Sequence, residues 1–191
     1  MVNPDAMSVA ASAIGFNETS QAAALRDYLS TGGQNLDPAT TAWCAAFVNA
    51  TLTKSGQQGT GKLNARSYLD WGQPVDQPQR GDVAVFSRGD PNGWQGHVGF
   101  LDGYNKDGTI RVLGGNQGGA VSIANYGADR LLGFRRGNAL AEQPAAQPQQ
   151  QAGNALAQAP LSDPMGGFRF QQNQLDPAAF RLDLNQFVRR G

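Results

Sequence analysis

The sequence predicts an α+β fold, in which N-terminal helices pack on an antiparallel β-sheet, followed by an extended tail. Helical patterns come first, and short β-branched or aromatic runs separated by glycine come after them. Helices followed by sequential strands are typical of α+β domains. Composition then changes after Gly137. We therefore predict a domain at residues 1–137, a linker at 138–165 and an anchoring segment at 166–191.

The helical half contains four segments of helical pattern. Asp37-Pro38 leads into the third segment, and Gly56 follows its end, as helix start and stop signals do. A glycine pair, Gly32-Gly33, ends the second segment. The predicted helices, in chain order, cover residues 6–14, 20–29, 41–54 and 65–71.

The strand half contains five short runs that predict strands. The turn signal at residues 105–108 separates the second run from the third, so these two are expected to form a hairpin. The predicted strands, in chain order, cover residues 83–87, 97–104, 109–113, 120–124 and 131–135.

The tail has the composition of a linker followed by a helix. Residues 138–160 are rich in alanine, glutamine and proline, which bury too little apolar area to offset the entropy of ordering. Asp176 and Pro177 then form a helix start, followed by an apolar stripe at Phe180, Leu184, Phe187 and Val188. A stripe this short is marginal alone. It is expected to dock on a partner rather than on its own domain.

Charge and composition exclude several classes of protein. The 191 residues hold 15 basic and 15 acidic side chains, so no basic surplus favours nucleic acid or an anionic membrane. A single cysteine and a single histidine rule out an internal disulfide scaffold and make a zinc finger unlikely. No signal peptide or membrane span is expected from the sequence.

Cys44 is the candidate nucleophile. If Thr40 or Thr41 caps the third helix, Cys44 falls in its first turn. Free N–H groups and the positive end of the helix dipole then favour the thiolate, which is the nucleophilic form. The alternative is that Cys44 is a small buried hydrophobe, as free cysteines often are.

His97 is the candidate base, at the start of a predicted strand. A four-residue loop in the following hairpin would place Asn116 directly opposite His97, where its oxygen could fix the imidazole tautomer. A three-residue loop would place Gln117 there instead. Asp102 and Asp82 are weaker candidates for the same orienting role.

Five sequence blocks resemble those of papain-like peptidoglycan hydrolases of the NlpC and CHAP (cysteine, histidine-dependent amidohydrolase/peptidase) superfamily. The resemblance covers roughly residues 5–137 and is closest to a small subgroup common in phages and prophages. The blocks, in chain order, are WCAAFVNATL, GDVAVFSRG, GHVGFLDG, VLGGNQGGAVSIANY and LLGFRRG.

The resemblance implies a papain-like fold and hydrolysis of an amide bond in cell-wall peptide. It implies Cys44 as nucleophile, His97 as general base and acid, and Asn116 as the third catalytic residue. The backbone N–H of Cys44 would hold the oxyanion, and no metal or organic cofactor is required. Trp94 and Trp43 are candidate substrate contacts, although core packing is the alternative, and the favoured one for Trp43.

The bond and the biological setting are left with alternatives. Both N-acetylmuramoyl-L-alanine amidases and endopeptidases occur in the superfamily, and we lean to endopeptidase. We expect the protein to be bound to a phage virion through its C-terminal tail. It would open the host wall during entry and act in that wall or in the periplasm. The alternatives are an interbacterial effector, a lysis enzyme, or a structural virion component.

Overall fold

The computed structural model describes residues 5–137, so the predicted linker and anchoring segment lie outside the described residues. Three α-helices precede a sheet of six strands, with 3-10 helices at Ala65–Asp70 and Ala128–Arg130. Within the described residues no helix is long and apolar enough to cross a membrane. The elements are α1 (Ala6–Ser12), α2 (Ala22–Ser30), α3 (Cys44–Lys54), β1 (Gln73–Pro74), β2 (Val83–Ser87), β3 (Gly96–Tyr104), β4 (Ile110–Gly114), β5 (Ser122–Tyr126) and β6 (Leu131–Arg136).

The strands form one antiparallel sheet in the order β1-β6-β2-β3-β4-β5. The predicted mixture of helices with an antiparallel sheet is therefore confirmed. The fourth predicted helix is a 3-10 helix, and β1 was missed because two residues carry no periodic pattern.

Helix α3 is the central element of the domain. Its residues from Cys44 to Leu52 are all buried, and it contacts β3, β4 and the other two helices. A helix that is buried on all sides is enclosed by the other elements of its domain. The helix begins later than predicted: Trp43 occupies the N-cap position and makes no side-chain capping hydrogen bond. Cys44 is therefore the first helical residue, without a threonine cap.

The hairpin of β3 and β4 combines two registers. Next to its turn, Tyr104 pairs with Ile110, as in the shorter of the two predicted loops. An irregularity between Leu101 and Gly103 then shifts the pairing by one residue. Beyond it Phe100 pairs with Leu113, which is the register predicted for the longer loop.

Gly115, the residue that follows β4, packs closely against the start of α3. A Cβ added at Gly115 would stand 2.5 Å from the Trp43 ring and 2.6 Å from Cβ of Phe47. Both aromatic side chains are fully buried, so neither has open space to move into.

We expect Gly115→Ala to lower the free energy of unfolding by about 1–3 kcal/mol, the usual cost of overpacking a core. Denaturant titration followed by circular dichroism measures this quantity. An unchanged free energy of unfolding would show that the contact between Gly115 and α3 has room to adjust.

Candidate active site

Cys44 stands at the start of α3 with 7% of its surface exposed. Burial raises the pKa of its thiol, while the backbone N–H groups of Val98 and Ala45 and the charge of Arg88 act in the opposite direction. The sequence analysis predicted a thiolate favoured by the helix start. The structure corrects this prediction, because desolvation outweighs the helix-start contribution.

His97 lies near the start of β3 and is 8% exposed. Burial lowers the pKa of its imidazole from 6.5 to about 4. The hydrogen bond with Gln117 opposes this shift, whereas the nearby charges of Arg88 and Arg130 add to it. The isolated imidazole is therefore neutral at pH 7.

The side chains of Cys44 and His97 share one environment. One of the backbone N–H groups that lower the thiol pKa belongs to Val98, the residue after His97. The ring of Tyr126 stacks on His97 with centroids 4.8 Å apart. The pKa of Tyr126 is raised to about 12, chiefly by burial and then by the charge of Cys44. The structure thus brings the predicted nucleophile and base into one buried region.

The side chain that meets His97 is Gln117, whose Oε1 lies 3.1 Å from the imidazole Nε2. Its amide orientation follows from its other partners: Nε2 donates to the carbonyl oxygen of Ser122 at 2.6 Å, and Oε1 accepts from the Tyr126 hydroxyl at 3.0 Å. The oxygen therefore faces the imidazole and accepts from its Nε2–H. Nδ1 is left unprotonated and able to take a proton.

Asn116, the predicted third catalytic residue, is not the side chain placed against His97. Strand β4 ends at Gly114, and Asn116 adopts a left-handed conformation with φ of 58°. The turn after it is closed by a bond from the Gln117 N–H to the carbonyl oxygen of Ala120. The chain has left the ladder by then, so the register that predicted Asn116 no longer applies.

The two aspartates considered as orienting groups are engaged elsewhere. Asp102 accepts from Arg80 and Arg111, and Asp82 accepts two bonds from Arg136 at 2.7 Å. These arginine partners hold the pKa of the Asp102 carboxyl below its usual range. Both carboxylates therefore serve as structural ion-pair partners.

The cleft beside Cys44 carries one charged side chain among its described lining residues, that of Arg88. Trp94, a predicted substrate contact, lines this cleft and is 74% exposed. Trp43, the other predicted contact, is fully buried, and its indole N–H lies 3.2 Å from a carboxylate oxygen of Glu18. The structure therefore assigns Trp43 to the core, the alternative that the sequence left open.

Arg66 holds the loop that carries Trp94. Its guanidinium donates to the carbonyl oxygens of Gln95 at 2.9 Å, Pro91 at 2.9 Å and Asp90 at 3.3 Å. Sequence reasoning did not single out Arg66, because its partners are backbone atoms that leave no motif. The loop is thereby tied to the 3-10 helix on the other side of the cleft.

Residues 36–116 match the family model of the CHAP domain. The match spans less than half of the chain, includes Cys44 and His97, and supports a CHAP/NlpC-type family for this region. CHAP domains are typically cysteine- and histidine-dependent amidases or peptidases that act on peptidoglycan. A comparison with curated proteins found no match.

The buried imidazole predicts a specific dependence of stability on pH. Between pH 6.5 and about 4 the unfolded chain binds a proton at His97 that the folded chain does not bind. The stabilising contribution of the neutral imidazole to the free energy of unfolding is therefore complete above pH 6.5 and is lost as the pH falls to about 4. Its size is on the order of 3 kcal/mol, since one pKa unit corresponds to about 1.4 kcal/mol.

We expect His97→Gln to remove this contribution. The difference in free energy of unfolding between wild type and variant should be constant above pH 7. As the pH falls from 7 to 4, wild type should lose stability relative to the variant. Denaturant titration of both proteins measures this difference. A difference that does not change with pH would contradict a neutral buried imidazole.

Proposed function

We propose that the protein is a peptidoglycan hydrolase that cleaves an amide bond of the wall peptide through Cys44. The observation that carries the proposal is the shared environment of the Cys44 thiol and the His97 imidazole, with Gln117 bound to the imidazole. These groups follow the general pattern of nucleophile, base and orienting group. The CHAP match over residues 36–116 supports the substrate class. We further propose that the fold is papain-like.

The proposed reaction begins with transfer of the thiol proton to Nδ1 of His97. The sulfur of Cys44 then bonds to the carbonyl carbon of the substrate, and the oxyanion accepts from the Cys44 backbone N–H, one of the N–H groups at the helix start that have no helical partner. His97 returns its proton to the leaving amine as the C–N bond breaks. Water then attacks the thioester with His97 as base, which releases the new carboxyl group and the free thiol.

We favour endopeptidase cleavage within the stem peptide over amidase cleavage at the sugar. Arg88, the charged lining residue of the cleft, is complementary to the carboxylates of a stem peptide, which supports this substrate for either cleavage. Trp94 on the cleft rim offers an exposed ring for packing against the peptide.

We also propose that the enzyme is carried on a phage particle and acts on the host wall during entry. The support lies in the sequence: the linker at 138–165, rich in alanine, glutamine and proline over 138–160, precedes the segment 166–191 that carries the apolar stripe. That pattern suits a catalytic domain tethered to a partner. The partner would be a virion protein that accepts a short amphipathic helix.

Digestion of purified peptidoglycan tests the reaction. Wild type should release wall fragments, and Cys44→Ser should be slower by about 1000-fold or more, since loss of a nucleophile costs at least that much. Mass spectrometry of the fragments identifies the bond: a free stem peptide indicates an amidase, and a shortened stem indicates an endopeptidase. Matched thermal unfolding of the two proteins is the control for folding. Equal fragment release by the serine variant would refute the proposal.

Removal of residues 161–191 tests the setting. We expect the truncated protein to hydrolyse purified wall at the wild-type rate, because Cys44, His97 and Gln117 all lie before residue 137. It should fail to be incorporated into particles when they are purified and probed for the protein. A truncated protein that still enters particles would refute anchoring through the tail.

A further inference from the structure

Tyr126, on the edge strand β5, contacts two members of the site at once. Its ring lies nearly parallel to the imidazole of His97, at an interplanar angle of 11°. Its hydroxyl donates to Oε1 of Gln117 at 3.0 Å. The same ring also stacks on Phe86 of β2 with centroids 4.8 Å apart, and this second contact helps to hold its plane.

The position of the Gln117 oxygen decides which imidazole nitrogen carries the proton. An oxygen beside Nε2 requires Nε2–H, whereas an amide NH2 at the same place would require an unprotonated Nε2 and move the proton to Nδ1. A histidine protonated at Nδ1 cannot accept the thiol proton there. Tyr126 donates to that oxygen, and the carbonyl of Ser122 accepts from the amide nitrogen, so both contacts favour the productive orientation.

We propose that Tyr126 is a positioning residue that holds His97 in the Nε2–H tautomer and in a fixed ring plane. It acts through the hydrogen bond to Gln117 and through the stacked ring. The inference deepens the proposed function, since it rests on His97 serving as the base for Cys44.

Three other charged or titratable groups lie around His97 and Tyr126. The charges of Arg88 after β2 and Arg130 in the 3-10 helix before β6 lower the pKa of His97, and Cys44 on α3 acts on Tyr126. Arg130 is held by two bonds to the carbonyl oxygen of Ser87. All three remain in a Tyr126→Phe variant, so a difference from wild type reports the hydroxyl alone.

The full-length chain suits a direct test, because it contains one histidine and one cysteine. With ¹⁵N-labelled histidine, the two ring nitrogens of His97 show in a nuclear magnetic resonance spectrum which of them carries the proton. We expect the wild-type spectrum at pH 7 to show Nε2 protonated and Nδ1 unprotonated. In Tyr126→Phe both signals should move toward a mixture of tautomers.

The reactivity of Cys44 gives a second readout. Iodoacetamide forms an S–C bond with the thiol as iodide leaves, and the thiol proton passes to His97. We expect Tyr126→Phe to slow this alkylation at pH 7 by about three- to tenfold, the value of one neutral hydrogen bond. Tyr126→Leu, which also loses the stacked ring, should slow it further.

Tyr104→Phe is the matched control, because Tyr104 lies at the end of β3 beside the hairpin turn and is half exposed. It should leave both readouts at their wild-type values. Thermal unfolding of each variant checks folding, and Tyr126→Phe decides the question if the leucine variant does not fold. Wild-type tautomer signals together with a wild-type alkylation rate in Tyr126→Phe would overturn the proposal.

The test separates this inference from the proposed function. If the protein does not cleave peptidoglycan but Tyr126→Phe alters the tautomer and the alkylation rate, the hydrolase proposal fails and the positioning role stands. If peptidoglycan is cleaved and Tyr126→Phe keeps the wild-type kcat, tautomer and alkylation rate, the hydrolase stands and the positioning role fails.

Discussion

The burial of the first turn of α3 against β3 is the constraint on which the site depends. The helix is buried around its circumference from Cys44 to Leu52, because the sheet and the other helices enclose it. Enclosure puts Cys44 beside the backbone of Val98, one residue from His97. The proposed nucleophile and the proposed base are 53 positions apart in the chain, from 44 to 97, and packing brings them together.

The same burial sets the electrostatics of the pair. It raises the pKa of Cys44 and lowers that of His97, so each group alone is held neutral. Proton transfer from thiol to imidazole creates both charges together, and their attraction in a poorly solvated site offsets part of the desolvation cost. Arg88 stabilises the thiolate but disfavours the imidazolium, so its net effect depends on which charge it lies nearer. A neutral resting thiol also resists oxidation, which proceeds through the thiolate.

The sequence predicted the order and most of the boundaries of the regular elements, because periodicity and glycine breaks are local signals. It did not predict the irregularity at Asp102, whose buried carboxylate binds Arg80 and Arg111, because contacts between such distant residues leave no local pattern. The loop is one residue shorter than the preferred prediction, and the irregularity at Asp102 shifts the pairing back by one residue. The predicted pairing of Phe100 with Leu113 is therefore correct. The sequence named Gln117 only as the alternative to Asn116, and the preference for Asn116 was wrong because the chain leaves the ladder after β4.

The orienting part of the site lies beyond the region that matches the CHAP model. The match ends at residue 116, whereas Gln117 and its two partners, Ser122 and Tyr126, follow it in the turn and strand that close the sheet edge. The matched region thus contains the proposed nucleophile and base, and the next ten residues contain Gln117 and the partners that orient it. Any acceptor that reaches Nε2 from this edge would serve, provided that the strand supplies partners to hold it. The identity of the third residue therefore depends on the geometry of the turn after β4 more than on its position in a motif.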